Sequence, residues 1–184
     1  MIKLASLTLS MALLAPAAAL AATHHFATAS IDEAQETLCP LVSTANGATT
    51  ATLDDVTGSF SFTVSFGNNA PAFNDGELHN GVTESAAHFH GPAAPGATAN
   101  VQVGIGLGSP VSLTVTLTPV QITQVLGGLW YVNIHSTDCG LGEIRGQLLE
   151  VTATPALPTW GWVLFGVLAL CGVGLLSRRA FLKA

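Results

Sequence analysis

Basic side chains are nearly missing from this chain. Of 184 residues only five are Lys or Arg, and Lys3, Arg178, Arg179 and Lys183 sit close to the two ends. Between them Arg145 stands alone against eleven acids running from Asp32 to Glu150, a net of ten negative charges. A domain with one cation cannot neutralise a phosphate backbone, which excludes nucleic acid as a partner. Such an acidic surface favours cations and repels anionic polymers instead. Also missing are a nucleophile elbow, a phosphate loop, a paired-cysteine metal knuckle and a dinucleotide fingerprint, so the commonest short signatures of enzymes have no foothold here. There is no internal repeat and no long low-complexity segment.

What is there begins with the two ends. Lys3, the apolar run over residues 4–20 and Ala19-Leu20-Ala21 have the form of a secretory signal peptide, predicted over residues 1–21; a retained N-terminal helix is the alternative. At the other end, residues 160–177 form an apolar stretch followed by a basic tail over 178–184. Its uncharged apolar run over residues 160–176, seventeen residues at about 1.5 Å each, spans roughly 25 Å, enough for a transmembrane helix. The basic cluster marks its cytoplasmic side, leaving the domain outside. Residues 154–159 connect this segment to a domain expected over 22–153.

Strand signals dominate that domain. Phe60, Phe62, Val64 and Phe66 alternate with serine and threonine. Val101, Val103, Ile105 and Leu107 alternate with glutamine and glycine, and Val111, Leu113, Val115 and Leu117 with serine and threonine, each the pattern of a half-buried strand. With segments at 48–54, 85–90, 129–135 and 143–151 the count reaches seven or eight, and the expected fold is all-β, an antiparallel sandwich or barrel. One short helix is predicted between Thr118 and Gly127, with Thr118 as cap and Pro119 in the first turn.

Two patterns carry chemistry. His88 and His90 are two apart, so on a strand both project from one face about 6.5–7 Å from each other, and His135 at the end of another strand can supply a third nitrogen for zinc or copper. The alternative is structural: the imidazoles bond loop carbonyls and carboxylates, Glu143 or Asp138 among them. Glu143, Arg145 and Gln147 share a face at strand spacing. The scarcity of cations predicts a fixed partner for Arg145, a forked ion pair with a carboxylate or a set of loop carbonyls, in a clamp that ties the last strand to the His-bearing strand; a substrate clamp is the alternative. A third pattern lies at the mature N-terminus. Cleavage after Ala21 or Ala22 puts His24 or His25 third from a free amine, a square-planar set for Cu(II) or Ni(II), though alanine-rich signal ends produce it by coincidence as well.

The stretch GLWYVNIHSTDCGLGEIRGQL over residues 128–148, with Ala87-His88-Phe89-His90-Gly91-Pro92, Ala34-Gln35-Glu36, the strand over 48–54, Gly58-Ser59-Phe60 and the helix ahead of Tyr-Val-Asn-Ile-His, resembles the CHRD (chordin-type) domain. The resemblance spans roughly residues 26–151 and implies an exported β-domain with a binding or structural role, on an extracellular polysaccharide or protein. Asp138-Cys139-Gly140-Leu141-Gly142 stands where the family has Asn-Pro-Gly-Gly, and Cys39 where it tends to have prolines. Two cysteines at two departures imply that they pair, in an oxidising compartment where a bridge persists; two free thiols are the alternative. The tail, with Leu157-Pro158-Thr159-Trp160-Gly161 ahead of an apolar helix and an arginine cluster, is similar to PEP-CTERM and IPTL-CTERM sorting signals. That similarity implies an exosortase-like protease as partner and a cell-surface or extracellular destination; an uncleaved anchor is the alternative. The competing function is a copper or zinc metalloprotein using His88, His90 and His135.

Overall fold

In a computed structural model of the chain, residues 21–39 and 41–151 are described. The signal peptide, sorting motif and transmembrane helix expected from the sequence lie outside them, save residue 21. Among the described residues no helix is long and apolar enough to cross a membrane.

Eight strands are seen among the described residues: β1 (Thr23–Thr28), β2 (Asn46–Asp54), β3 (Ser59–Gly67), β4 (Glu84–His90), β5 (Val101–Gly104), β6 (Val111–Thr116), β7 (Trp130–Ser136) and β8 (Ile144–Glu150). The helix α1 (Pro119–Leu126) joins β6 to β7. The order across the sheet is β5-β4-β7-β8-β1-β2-β3-β6, and every neighbouring pair is antiparallel. The all-β class, the strand number and the single short helix agree with the sequence expectation. The arrangement is more specific than a sandwich or barrel: one sheet that curls on itself as a half-barrel.

The curl is legible in the core. β3 and β4 stand far apart in the sheet order, yet Phe60 and Phe62 of β3 lie 5.5 and 4.9 Å from Phe89 of β4, edge to face. Phe60 also meets Trp130 of β7 edge-on at 6.0 Å. Only bending the sheet brings these rings together. The reason is the apolar parity of the strands: Phe60, Phe62, Val64, Ala87, Phe89, Trp130, Val132, Ile134, Ile144 and Leu148 are all buried on one continuous face. Edge-to-face aromatic pairs add about 0.5–1.5 kcal/mol beyond the area they bury.

The helix forms for the reasons its sequence contains. Thr118 accepts the Gln121 N–H and Gln121 answers the Thr118 N–H, a reciprocal capping box, with Pro119 at the first position where no N–H is needed. Val125 reaches the core.

Two expected strands are less buried than their alternation promised. β5 and β6 are the sheet edges, and Val101 and Leu113 are exposed on them; β5 stops at Gly104, short of the expected Leu107, so that buried Ile105 and exposed Leu107 lie beyond it. A strand absent from the sequence reading, β1, fills the centre of the sheet between β8 and β2. Its Phe26 and Thr28 are buried, and the chain runs on to Ile31 and Asp32, where the Asp32 and Arg145 backbones exchange two hydrogen bonds of 2.9 Å. Gly146 is required at this junction, because a Cβ there would overlap the Ser30 carbonyl.

Candidate functional site

β4, β7 and β8 turn their second face away from the aromatic core, and that face is polar. It carries His88 and His90 from β4, Tyr131, Asn133 and His135 from β7, and Arg145 and Gln147 from β8. The register makes them neighbours: His90 is opposite Tyr131, His88 opposite Asn133, and Asn133 opposite Arg145. Strand parity puts each set on one face; the pairing of β4 with β7 brings the sets together. All but His88, which is half-buried, are buried.

The three histidines converge. One ring nitrogen from each of His88, His90 and His135 lies within 4.8 Å of the others. His88 Nδ1 is 3.2 Å from His135 Nε2. The outer nitrogens have backbone acceptors: His90 Nδ1 donates to the Ala99 carbonyl at 2.9 Å and His135 Nδ1 to the Gly140 carbonyl at 3.1 Å. A carbonyl only accepts, so both rings carry their proton on Nδ1 and present an Nε2 lone pair, which in His135 accepts from His88 Nδ1 and in His90 has no partner. Burial, and next the neighbouring His90, hold the His88 pKa below its ordinary value. Burial is also the main cause lowering that of His135, against the opposing Gly140 hydrogen bond. Neutral rings with aimed lone pairs are what zinc and copper require. His90 Nε2 is buried and has no hydrogen-bond partner among the described residues.

Zinc or copper bonded at about 2.0–2.1 Å sets its ligand nitrogens about 3.3–3.5 Å apart, so from separations of up to 4.8 Å the set must draw in by as much as about 1.5 Å. Three imidazoles with a fourth position free for water or a small ligand can act as a Lewis-acid or one-electron centre. The alternative of purely structural bonding holds for the two loop carbonyls and for the His88–His135 contact, and leaves His90 Nε2 unmet. Neither Glu143 nor Asp138 bonds these rings. Glu143 is buried, and its Oε1 accepts the Ser43 hydroxyl and the His79 N–H at 2.7 Å each, while Asp138 lies 3.9 Å from His79 Nδ1.

Arg145 differs from expectation. Among the described residues no carboxylate comes within ion-pair distance of it, and its Nη2 is buried without a partner. Its guanidinium instead lies 3.5 Å from the centroid of the Tyr131 ring. On the β4 side of β7, His90 stacks on the same ring at 5.1 Å and 11°. A planar guanidinium prefers a ring face to a distant carboxylate when both are dry. Burial lowers the Arg145 pKa, partly offset by Tyr131 and by Glu36. Gln147 behaves as a clamp, donating to the carbonyls of Gly128 at 2.7 Å and Ala93 at 3.1 Å.

Sequence reasoning left out Tyr131 and Asn133, although they share parity with His135 in Tyr-Val-Asn-Ile-His. The Tyr131 hydroxyl accepts the Ala99 N–H at 3.1 Å, holding the peptide whose carbonyl orients His90. Asn133 donates to the Leu141 carbonyl at 3.1 Å, and a Cβ on Gly142, at φ +123°, would overlap the Asn133 amide. The loop carbonyls carried no sequence signal. The expected bridge between Cys39 and Cys139 is present, with Cα atoms 5.8 Å apart across 100 residues.

A family model for the CHRD domain matches residues 27–148. The chain belongs to the CHRD family. No curated protein and no solved structure matches it. The disulfide in this CHRD domain fits an extracellular or periplasmic setting, where bridges persist.

Two further features complete the CHRD domain. His24, in β1, is held by Glu150 Oε1 at 2.7 Å and approached by Asp55 Oδ2 at 3.5 Å, so its imidazole is engaged within the fold. His25 is exposed and pairs with Thr52 across the strands. On the outer face of β1, β2, β3 and β6, a groove of about 720 Å³ is lined by hydroxyls from Thr50, Thr52, Ser61, Thr63, Ser112 and Thr114. Two cross-strand pairs, Ser61 with Thr114 and Thr63 with Ser112, bond at 2.8 Å.

Proposed function

We propose that this CHRD domain is an exported metal-binding module in which His88, His90 and His135 hold one zinc or copper ion, with a coordination position left open. The observation that carries this reading is the His90 Nε2 lone pair, buried without a donor and facing two more imidazoles. An unmet buried acceptor costs about 1–3 kcal/mol, and an ion at the meeting point of the rings removes that cost. The signal-like N-terminus and the sorting-like tail support export and handling by an exosortase-like protease at the membrane. Titration of zinc and copper into the full chain, read by native mass spectrometry, should give one ion per chain, lost in a His90→Ala, His135→Ala variant. A wild-type chain that binds neither metal sinks the reading.

A second reading, recognition of a neutral extracellular polysaccharide, is favoured by the hydroxyl-lined groove, which carries no acidic or basic lining residue other than His25. Co-sedimentation with neutral glucans should then weaken when Thr50 and Thr63 become valine. Retention by no neutral polymer would remove this reading while leaving the metal site untouched.

A further inference from the structure

We infer that the Cys39–Cys139 bridge is part of the histidine site and sets its metal affinity, so that the ion is held in the disulfide form and released when the bridge is reduced. The inference rests on the three-histidine reading above and adds a regulator to it. Its basis is the position of Gly140. The carbonyl that receives His135 Nδ1–H belongs to the residue directly after Cys139. Cys139 in turn is the hub of that loop: its N–H donates to Ser136 Oγ at 3.1 Å, and its carbonyl accepts the Ser136 N–H at 3.3 Å and the Gly142 N–H at 3.0 Å. It is buried, and its sulfur is tied to Cys39 on the segment that follows the one-turn 3-10 helix Glu33–Gln35.

Beyond Gly140 the loop is held at Leu141, whose carbonyl accepts from Asn133 at 3.1 Å, while Gly140 itself is open. Gly140 has no atom within 4 Å of where a Cβ would be, and it lies directly after the stapled Cys139, with Gly142 at φ +123° two residues further on. Glycine loses more freedom on ordering than any other residue, so a loop of this composition keeps a carbonyl aimed only while something anchors it. The bridge is the anchor from outside the loop on the Cys139 side of Gly140, as Asn133 is on the Leu141 side. Partners of the non-ligating nitrogen fix the tautomer and orientation of a metal-binding histidine, and their loss costs about 10–100-fold in affinity.

The chemistry is thiol–disulfide exchange with a dithiol reductant. One thiolate attacks a sulfur of the bridge and breaks the S–S bond, and the second resolves the mixed disulfide. Two electrons and two protons pass to Cys39 and Cys139 as thiols, and the reductant leaves as its own disulfide.

The test uses the full chain in a Cys171→Ser background, so that no third thiol competes for metal. Zinc affinity is measured with the bridge intact and in Cys39→Ser, Cys139→Ser, which cannot ligate zinc through thiolates. We expect the serine pair to bind about 10–100-fold more weakly; an unchanged Kd overturns the inference. Should the serine pair not fold, Ser136→Ala keeps the bridge and removes the hydroxyl that receives the Cys139 N–H, and a drop of a few-fold in affinity is expected, with no drop counting against it. A metal-free readout separates the two claims. In the ¹⁵N spectrum His135 should show a protonated Nδ1 in the disulfide form and a mixture of tautomers after reduction by a dithiol. Zinc binding that is strong yet blind to the bridge defeats this inference alone; no zinc binding by the disulfide form defeats the three-histidine reading and this inference with it.

Discussion

One half of the curled sheet obeys the simple rule for a half-buried strand, and the other half does not. In β3 the apolar side chains from Phe60 to Phe66 are buried while the serines and threonine between them are half-exposed. In β7 every residue from Trp130 to Ser136 is buried, polar and apolar alike. Both halves present the same kind of apolar face to one core. They differ in what lies behind it: open, hydroxyl-bearing surface behind β2, β3 and β6, and behind β4, β7 and β8 a covering of loop and N-terminal segment, through Gln35, Ala93, Ala99, Gly140 and Leu141. Polar side chains that a fold buries on a second face need partners, and where the partners run out a ligand is implied.

The contrast can be broken most directly at Arg145. Its side chain is 2% exposed and stacked on Tyr131. Arg145→Ala removes both the cation–π contact and the buried stem, and should cost about 2–4 kcal/mol. Arg145→Met, which keeps the volume and leaves no ionic partner stranded, should cost clearly less in urea unfolding. Equal losses for the two would show that a charge partner matters after all. A smaller effect is expected at Gln147, whose amide serves two backbone carbonyls. Gln147→Ala should destabilise by about 1–3 kcal/mol, whereas Thr63→Ala on the outer face of β3 should stay within about 0.5 kcal/mol. If Thr63→Ala proves as damaging as Gln147→Ala, the two halves are not different in kind.

The smallest effect belongs to His24, which joins the first strand to Glu150 at the end of the last and to Asp55. Its pKa is raised above 6.5, chiefly by the Glu150 hydrogen bond. A raised value in the folded state means that the protonated form is favoured by folding, so the stabilisation is complete below about pH 6.5 and is lost as pH rises through the folded value. The difference in Tm between the wild type and His24→Gln should therefore be largest near pH 6 and shrink towards pH 9. A difference that grows over that range has the wrong sign for this ion pair.

The same contrast decides what the sequence could convey. Alternation placed β3 and β6, whose apolar and hydroxyl side chains take turns, so that period two is visible in residue type. It missed β1, since His24 and His25 sit where a signal-peptide end was expected and only Phe26 marks the core. For the site, parity was enough to put His88 with His90, and Arg145 with Gln147. It could not show that β4 pairs with β7, which is what brings His135 to them. Nor could it show that the outer nitrogens rest on the carbonyls of Ala99 and Gly140, because every residue carries a carbonyl. Arg145 was expected to hold a carboxylate or loop carbonyls because cations are scarce in the sequence. The fold places Tyr131 nearer, and a dry ring face is a partner that charge counting overlooks.

The most direct measurement of the central claim is X-ray absorption at the metal edge on the full chain loaded with one equivalent of zinc. Three imidazole nitrogens at about 2.0–2.1 Å are predicted, a signature absent from His90→Ala, His135→Ala, which should not retain the ion. A first shell of oxygen atoms alone, or a spectrum that the double variant does not change, would contradict the account.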